Sequence, residues 1–163
     1  MHFRSRILPA DPERIEALVR TTGFFNEEEI SIARELVEER LHKGEASGYY
    51  FILAEQQVKP QGGLAGYTCY GPIPGTRASF DLYWIAVAPQ GQGKGLGKEL
   101  LGRVEAEVRR MDGSRIYIDT SSRTQYQTTR AFYLACGYHQ AADLPDFYAP
   151  GDGKIIYCKE LAG

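Results

Sequence analysis

The sequence is poor in cysteine and shows no pairing pattern among the few it has. Cys69, Cys136 and Cys158 form an odd set without CxxC spacing, which argues against a disulfide framework. Each reads instead as a small buried apolar residue in a reducing, cytoplasmic setting. Long apolar runs are missing as well. Met1-His2-Phe3-Arg4 opens no run of about seven apolar residues, and nothing approaches the roughly 18 that a spanning helix needs, so neither export nor membrane spanning is expected. Charge of one sign is also lacking. A net charge of −2 gives no general attraction for nucleic acid or an acidic membrane surface, so any anion recognition must be local. His2, His42 and His139 stand far apart with no companion at metal-ligand spacing, and no metal is expected. No elbow motif sets a serine among a His and an Asp. Repeats and low-complexity segments are absent. With 163 residues, 43% hydrophobic and 25% charged, the chain has the makeup of one domain, 1–163, able to bury a sizeable core.

Glycine is what the sequence has in a telling place. Pro89-Gln90-Gly91-Gln92-Gly93-Lys94-Gly95-Leu96-Gly97-Lys98 separates a strand-like run from a helix-like one. Alternate glycines strip side chains from the start of a helix. Backbone N–H groups and the positive end of the helix dipole are left open to an anion such as a phosphate. Spacing narrows the ligand. A Walker loop would need Gly where Gln92 stands and Ser or Thr where Glu99 stands. A dinucleotide fingerprint starting at Gly91, Gly93 or Gly95 would need glycine where Leu96, Lys98 or Leu100 stands. Both readings fail, and a ligand-free glycine turn remains the bland alternative.

The surrounding pattern predicts a mixed α/β architecture. A short strand is expected over Arg4 to Leu8, then a helix capped by Asp11-Pro12-Glu13 with Ile15, Leu18 and Val19 buried. A second helix, Asn26 to Lys43, carries an Asn26 cap and a stripe of Ile30, Ala33, Leu36, Val37 and Leu41, and Gly44 stops it. Tyr49 to Glu55 and Gly63 to Tyr70 read as a hairpin around a turn at Val58 to Gly62, with a loop from Gly71 to Thr76. Ser79 to Val87 is nearly continuous in apolar residues, predicting burial on both faces. A helix follows the glycine loop with Leu96, Leu100, Leu101, Val104, Val108 and Met111 on one stripe. Then come a strand at Arg115 to Thr120, a helix at Thr124 to Ala135, and strands at Tyr138 to Ala141 and Lys154 to Glu160.

Four segments, in this order, resemble the GNAT N-acetyltransferase superfamily. They are Ile85-Ala86-Val87-Ala88-Pro89, the loop Gln92-Gly93-Lys94-Gly95-Leu96-Gly97 (similar to the family's Q/R-x-x-G-x-G/A acyl-CoA loop), Phe132-Tyr133-Leu134-Ala135-Cys136-Gly137-Tyr138, and Asp146-Phe147-Tyr148-Ala149-Pro150-Gly151-Asp152. They span roughly residues 79 to 160, while the N-terminal half agrees only in its order of elements. The resemblance implies a mixed, mostly antiparallel central sheet with two splayed parallel strands and helices on both faces. It also implies acetyl-CoA (coenzyme A) as acyl donor, an amine as acceptor, and a homodimer as one option.

The residue assignments follow from that resemblance. Ile85 and Val87 would meet the pantetheine amides through the main chain; a strand backbone left unpaired costs about 1–3 kcal/mol per group, so a ligand carrying amides suits it. Gln92, Gly93, Lys94, Gly95, Leu96 and Gly97 would cradle the pyrophosphate. Lys94 and Lys98 either meet further phosphate charge or simply face solvent. Tyr133 would protonate the departing thiolate, since a phenol of pKa about 10 can donate to a thiolate of about 8.5; its competing role is packing beneath the cofactor. Asp81 stands eleven residues before Gln92, the offset of the catalytic glutamate in the histone-modifying branch. It is the candidate base, with an ion pair to a nearby arginine as its alternative. Tyr83 shares its strand face and would line the acceptor cleft. Where the family usually has Asn, seven residues before the tyrosine, this chain has Tyr126, two helical turns from Tyr133 and able to stack on the cofactor. Tyr148, in the expected last loop, either roofs the acceptor pocket or packs a turn. The reading is direct acetyl transfer from acetyl-CoA to a primary amine of a small molecule or peptide terminus. Its rivals are a non-catalytic acyl-CoA-binding regulator and a protein-lysine acetyltransferase.

Overall fold

The computed structural model describes residues 1–57 and 63–162, so the predicted turn at Val58 to Gly62 lies outside the described residues. The chain forms two compact units. One comprises Met1–Gly71 with Trp84–Ala106, the other Pro72–Tyr83 with Glu107–Gly163.

The first unit contains β1 (His2–Arg4), α1 (Asp11–Thr21), α2 (Glu27–Lys43), β2 (Tyr50–Glu55) and β3 (Leu64–Pro72). It also holds the C-terminal half of β4 (Ser79–Val87) and most of α3 (Leu96–Arg110). β2 pairs antiparallel with β1 and with β3, with Phe3 opposite Ala54 and Leu53 opposite Tyr67. The hairpin pairing read from sequence is therefore present. Ile15 and Val19 of α1 and Ala33 and Val37 of α2 are buried in one cluster with Phe51, Leu53, Tyr67 and Cys69. The other face of β3 meets α3. A Cβ added to Gly66 would lie 2.9 Å from the Ala86 carbonyl oxygen and 3.0 Å from Leu100 Cδ1, so only glycine permits that approach. Helices thus cover both faces of this part of the sheet.

The first strand lies at His2–Arg4, two residues before the predicted start, and the chemistry of Asp11 explains why. Asp11 is fully buried and is the first residue of α1 rather than its cap; Ala10 takes that position without a side-chain bond. The Asp11 carboxylate accepts from Leu8 N at 2.7 Å and from both terminal nitrogens of Arg4 at 2.7 Å, while Arg4 also donates to the Arg6 carbonyl and to Glu55. Residues 5–8 are thereby drawn out of the strand, and a turn at Pro9 and Ala10, closed by Asp11 N donating to the Leu8 carbonyl at 2.9 Å, leads into α1. The expected Asn26 cap is present as a reciprocal box with Glu29. Leu41, assigned to the buried stripe of α2, is instead 39% exposed near the helix end.

The second unit contains the N-terminal half of β4 and β5 (Arg115–Ser121), α4 (Gln127–Ala135), β6 (His139–Ala149) and β7 (Asp152–Glu160). β4 and β5 run parallel, and their register covers Ser79, Phe80 and Asp81 opposite Arg115, Ile116 and Tyr117. Ile85 and Val87 lie beyond that paired segment. β5 and β6 each pair antiparallel with β7, and the full order is β1-β2-β3-β4-β5-β7-β6.

Two expectations need correction here. β4 is not buried on both faces: Phe80, Leu82 and Ala86 are buried, whereas Asp81, Ile85 and Val87 are half-buried and Tyr83 is 37% exposed. The penultimate strand runs through the segment expected to be loop, ending at Ala149 rather than Ala141. Irregular register at Gln140/Ala142 and Leu144/Ala149 lets it bend and continue. Tyr148 therefore sits on a strand, half exposed, and not in a loop.

Candidate active site

β4 leads into a 3-10 turn at Pro89–Gly91 and then into the glycine loop. Gly93 and Gly95 have φ of +75° and +84°, and a Cβ on either would meet nothing within 4 Å. Glycine is needed there for its backbone conformation, and the space above it is open. The first helical hydrogen bond of α3 runs from Glu99 N to the Gly95 carbonyl at 3.0 Å. The N–H groups of Leu96, Gly97 and Lys98 precede it and, among the described residues, have no backbone acceptor. A helix start bare of side chains and carrying free N–H groups fits a diphosphate. Gln92, assigned to the same cradle, uses its side-chain amide to hold the loop: Nε2 donates to the Val87 carbonyl at 3.2 Å. That carbonyl keeps one lone pair for another donor. Lys94 and Lys98 are exposed. A cleft of about 310 Å³ borders the loop on the side of Gln90, Lys94, Leu96, Gln56 and Ala65.

Alternation and register assemble the second set of residues. Asp81 is in register with Tyr117 on β5, so Asp119, two residues on, points to the same side of the sheet. Asp119 is opposite Ile156 on β7, and Lys154, two residues away, shares that side too. There Lys154 Nζ pairs with Asp119 Oδ2 at 3.1 Å and lies 4.5 Å from the Phe147 ring centre. Asp81 has no arginine partner among these contacts. Burial, aided by the negative charge of Asp119 and opposed by Lys154, pushes its carboxyl up to about 6. Burial, followed by the charges of Asp119 and Asp152, also raises the Tyr148 phenol. The strand face therefore brings Asp81, Asp119, Lys154 and Tyr148 into one electrostatic neighbourhood, with Tyr83 next along β4.

Tyr133 lies on the other side of this sheet. Its ring centre is 6.1 Å from that of Tyr157, and Tyr157 is opposite Ile118, on the face away from Asp119. The ring is 4% exposed, and burial raises its phenol, so the hydroxyl stays protonated at neutral pH. Tyr126 ends a 3-10 turn and is the N-cap of α4, and the Arg123 guanidinium lies 5.3 Å from its ring centre.

Asp119 and Lys154 were invisible to sequence reasoning. The alternation of Ile116 and Ile118 does mark Asp119 as facing the other way, but only the β4–β5–β7 register puts it beside Asp81. Arg123 and Asp152 are a further pair, 3.3 Å apart, with Ser121 Oγ donating to Asp152 Oδ1.

A mixed, mostly antiparallel sheet with one parallel pair, and a glycine-rich turn leading from β4 into α3, are the features to set beside known proteins. Residues 14–138 match the Acetyltransferase (GNAT) family, and the chain belongs to that family, whose acyl donor is acetyl-CoA. A crystal structure from Desulfovibrio desulfuricans, assigned to the GNAT acetyltransferases, is 45% identical over 99% of both chains with a TM-score of 0.93. An aminoglycoside 6'-N-acetyltransferase complexed with coenzyme A shares the fold at 19% identity, covering 100% of this chain and 98% of that one, TM-score 0.76. The ribosomal-protein-S18-alanine N-acetyltransferase of Escherichia coli does so at 16% identity over 99% and 96%, TM-score 0.72.

Proposed function

We propose that this chain transfers the acetyl group of acetyl-CoA to a primary amine by direct attack. The observation that carries the proposal is the pair of left-handed glycines, Gly93 and Gly95, opening the start of α3. Leu96, Gly97 and Lys98 offer N–H groups to the diphosphate, Lys94 and Lys98 add positive charge, and the backbone of Ile85 and Val87 receives the pantetheine amides. Acetyl-CoA supplies an activated acyl thioester. Asp81 takes a proton from the incoming ammonium, directly or through water, so that the nitrogen lone pair is free. A carboxyl titrating near 6 does this at neutral pH better than an ordinary aspartate. Tyr133 keeps its proton and gives it to the departing sulfur. Tyr83 and Tyr148 border the acceptor, and Tyr126 borders the cofactor.

The acceptor class we infer is a small molecule or a peptide N-terminus. Relatives of the same fold include an aminoglycoside-directed and a ribosomal-protein-directed enzyme, and both act on amines. Cys69 and Cys158, both buried as free thiols, suit a reducing compartment. Calorimetry with acetyl-CoA tests the binding, and thiol release with a panel of amines tests the turnover. Binding heat with amine-dependent thiol release is expected. Binding without release would make the chain an acyl-CoA sensor, and no heat at millimolar acetyl-CoA from folded protein would overturn the reading altogether.

A further inference from the structure

Asp81 does not act alone on its strand face. Tyr83 follows it on β4, Tyr117 stands opposite it on β5, and the two charged groups that act on it are Asp119 and Lys154. Asp119 and Asp152 both act on Tyr148, and Asp152 is held by Arg123 and Ser121. Lys154 is only 19% exposed, whereas Asp119 is 47% exposed. The cation is therefore the better-held member of the pair, fixed between a carboxylate and the Phe147 ring. If Lys154 leaves Asp119, a bare negative charge stays next to Asp81. If Asp119 is lost, an ammonium on β7 is left to serve Asp81 instead.

We propose that the Asp119–Lys154 ion pair is a positioning device that sets how readily Asp81 accepts the acceptor amine's proton. It rests on the reading of Asp81 as the base, and it adds two residues to the reaction that neither binding nor proton transfer had claimed. Neither residue need touch a substrate. The pair works by Coulomb opposition: Asp119 raises the Asp81 carboxyl and Lys154 lowers it, so either half alone drives Asp81 one way.

The test is a pair of titrations on the full chain at low ionic strength, where half-exposed charges are least screened. The Asp81 carboxyl is followed by carbon-13 NMR, and the acidic limb of kcat/KM by thiol release with the best amine. Lys154→Met should move the Asp81 midpoint up by about half a pH unit or more, and Asp119→Asn should move it down by a similar amount. Lys154→Arg should restore it, which separates charge from packing. The kinetic limb should track each NMR shift. Midpoints that stay together in all variants overturn the positioning role while leaving Asp81 as base if the wild-type limb matches its midpoint. NMR midpoints that separate while the limb stays put overturn the base assignment, and the proposal with it.

Discussion

At the scale of single residues, the decisive feature is a carboxyl whose burial conflicts with its charge. Asp81 titrates higher in the fold than in the unfolded chain, from 3.8 to about 6. The folded state therefore binds more protons across that window, and stability falls as pH rises from about 4 to about 6. Replacing it should separate stability from activity. Asp81→Asn is expected to lower kcat/KM by a factor on the order of 10²–10⁴. Thermal unfolding should show the same variant more stable than wild type at pH 7.5, by on the order of 1 kcal/mol after allowance for solvent screening, but not at pH 4. A variant that is both inactive and less stable at the higher pH would mean Asp81 is structural. Tyr133 is the complementary case. It is packed among Tyr138 and Tyr157, so Tyr133→Phe removes one oxygen and leaves the ring in place. Steady-state kinetics should show kcat reduced on the order of a hundredfold with KM for acetyl-CoA nearly unchanged. Full activity would assign the ring to packing alone.

At the scale of elements, the glycine loop was legible in the sequence because its requirement is local. Positive φ at Gly93 and Gly95 is a property of those residues themselves, as is the Asn26–Glu29 box that starts α2. Gly66 and Gly113 are different. Gly113 would bring a Cβ within 2.4 Å of Val108 and 2.6 Å of Phe80, neighbours that only the packed structure supplies. The same contrast predicts two kinds of mutant. Gly95→Ala has open space around it, so its cost is conformational, about 1–2 kcal/mol, and its main effect should be at least a tenfold weaker affinity for CoA by calorimetry. Gly113→Ala should leave affinity for CoA unchanged in the folded fraction but destabilise by about 1–3 kcal/mol through overpacking, read by urea unfolding. Equal losses of affinity in both variants would remove the loop from the binding site.

At the scale of the whole chain, what could not be read in advance depends on register and on distant charges. The helix stripes of α1 and α3 and the strand at Ser79–Val87 follow from periodicity, because hydrophobic spacing is written in consecutive residues. The length of β6 and the company of Asp81 depend on pairings between residues dozens of positions apart. Asp11 depends on Arg4 and Glu55 in the same way: a cap by its local pattern, it is in fact the centre of a buried ion network joining β1, α1 and β2. That network governs acid stability. Burial alone would raise Asp11, but the Arg4 hydrogen bonds, the Leu8 N–H and the charges of Arg4 and Arg14 overcome it and hold its carboxyl below 3.8. Glu55 is likewise held below 4.5, chiefly by Arg4. For a depressed carboxyl the stabilisation is complete above the unfolded value and is lost as pH falls through the folded one. Unfolding midpoints in urea should therefore drop steeply below about pH 4. Asp11→Asn leaves Arg4, only 13% exposed, without its two-pronged partner. It should cost about 3 kcal/mol at pH 7 and flatten the decline below pH 4. An unchanged acid limb in that variant would show that other carboxylates carry the acid sensitivity of the fold.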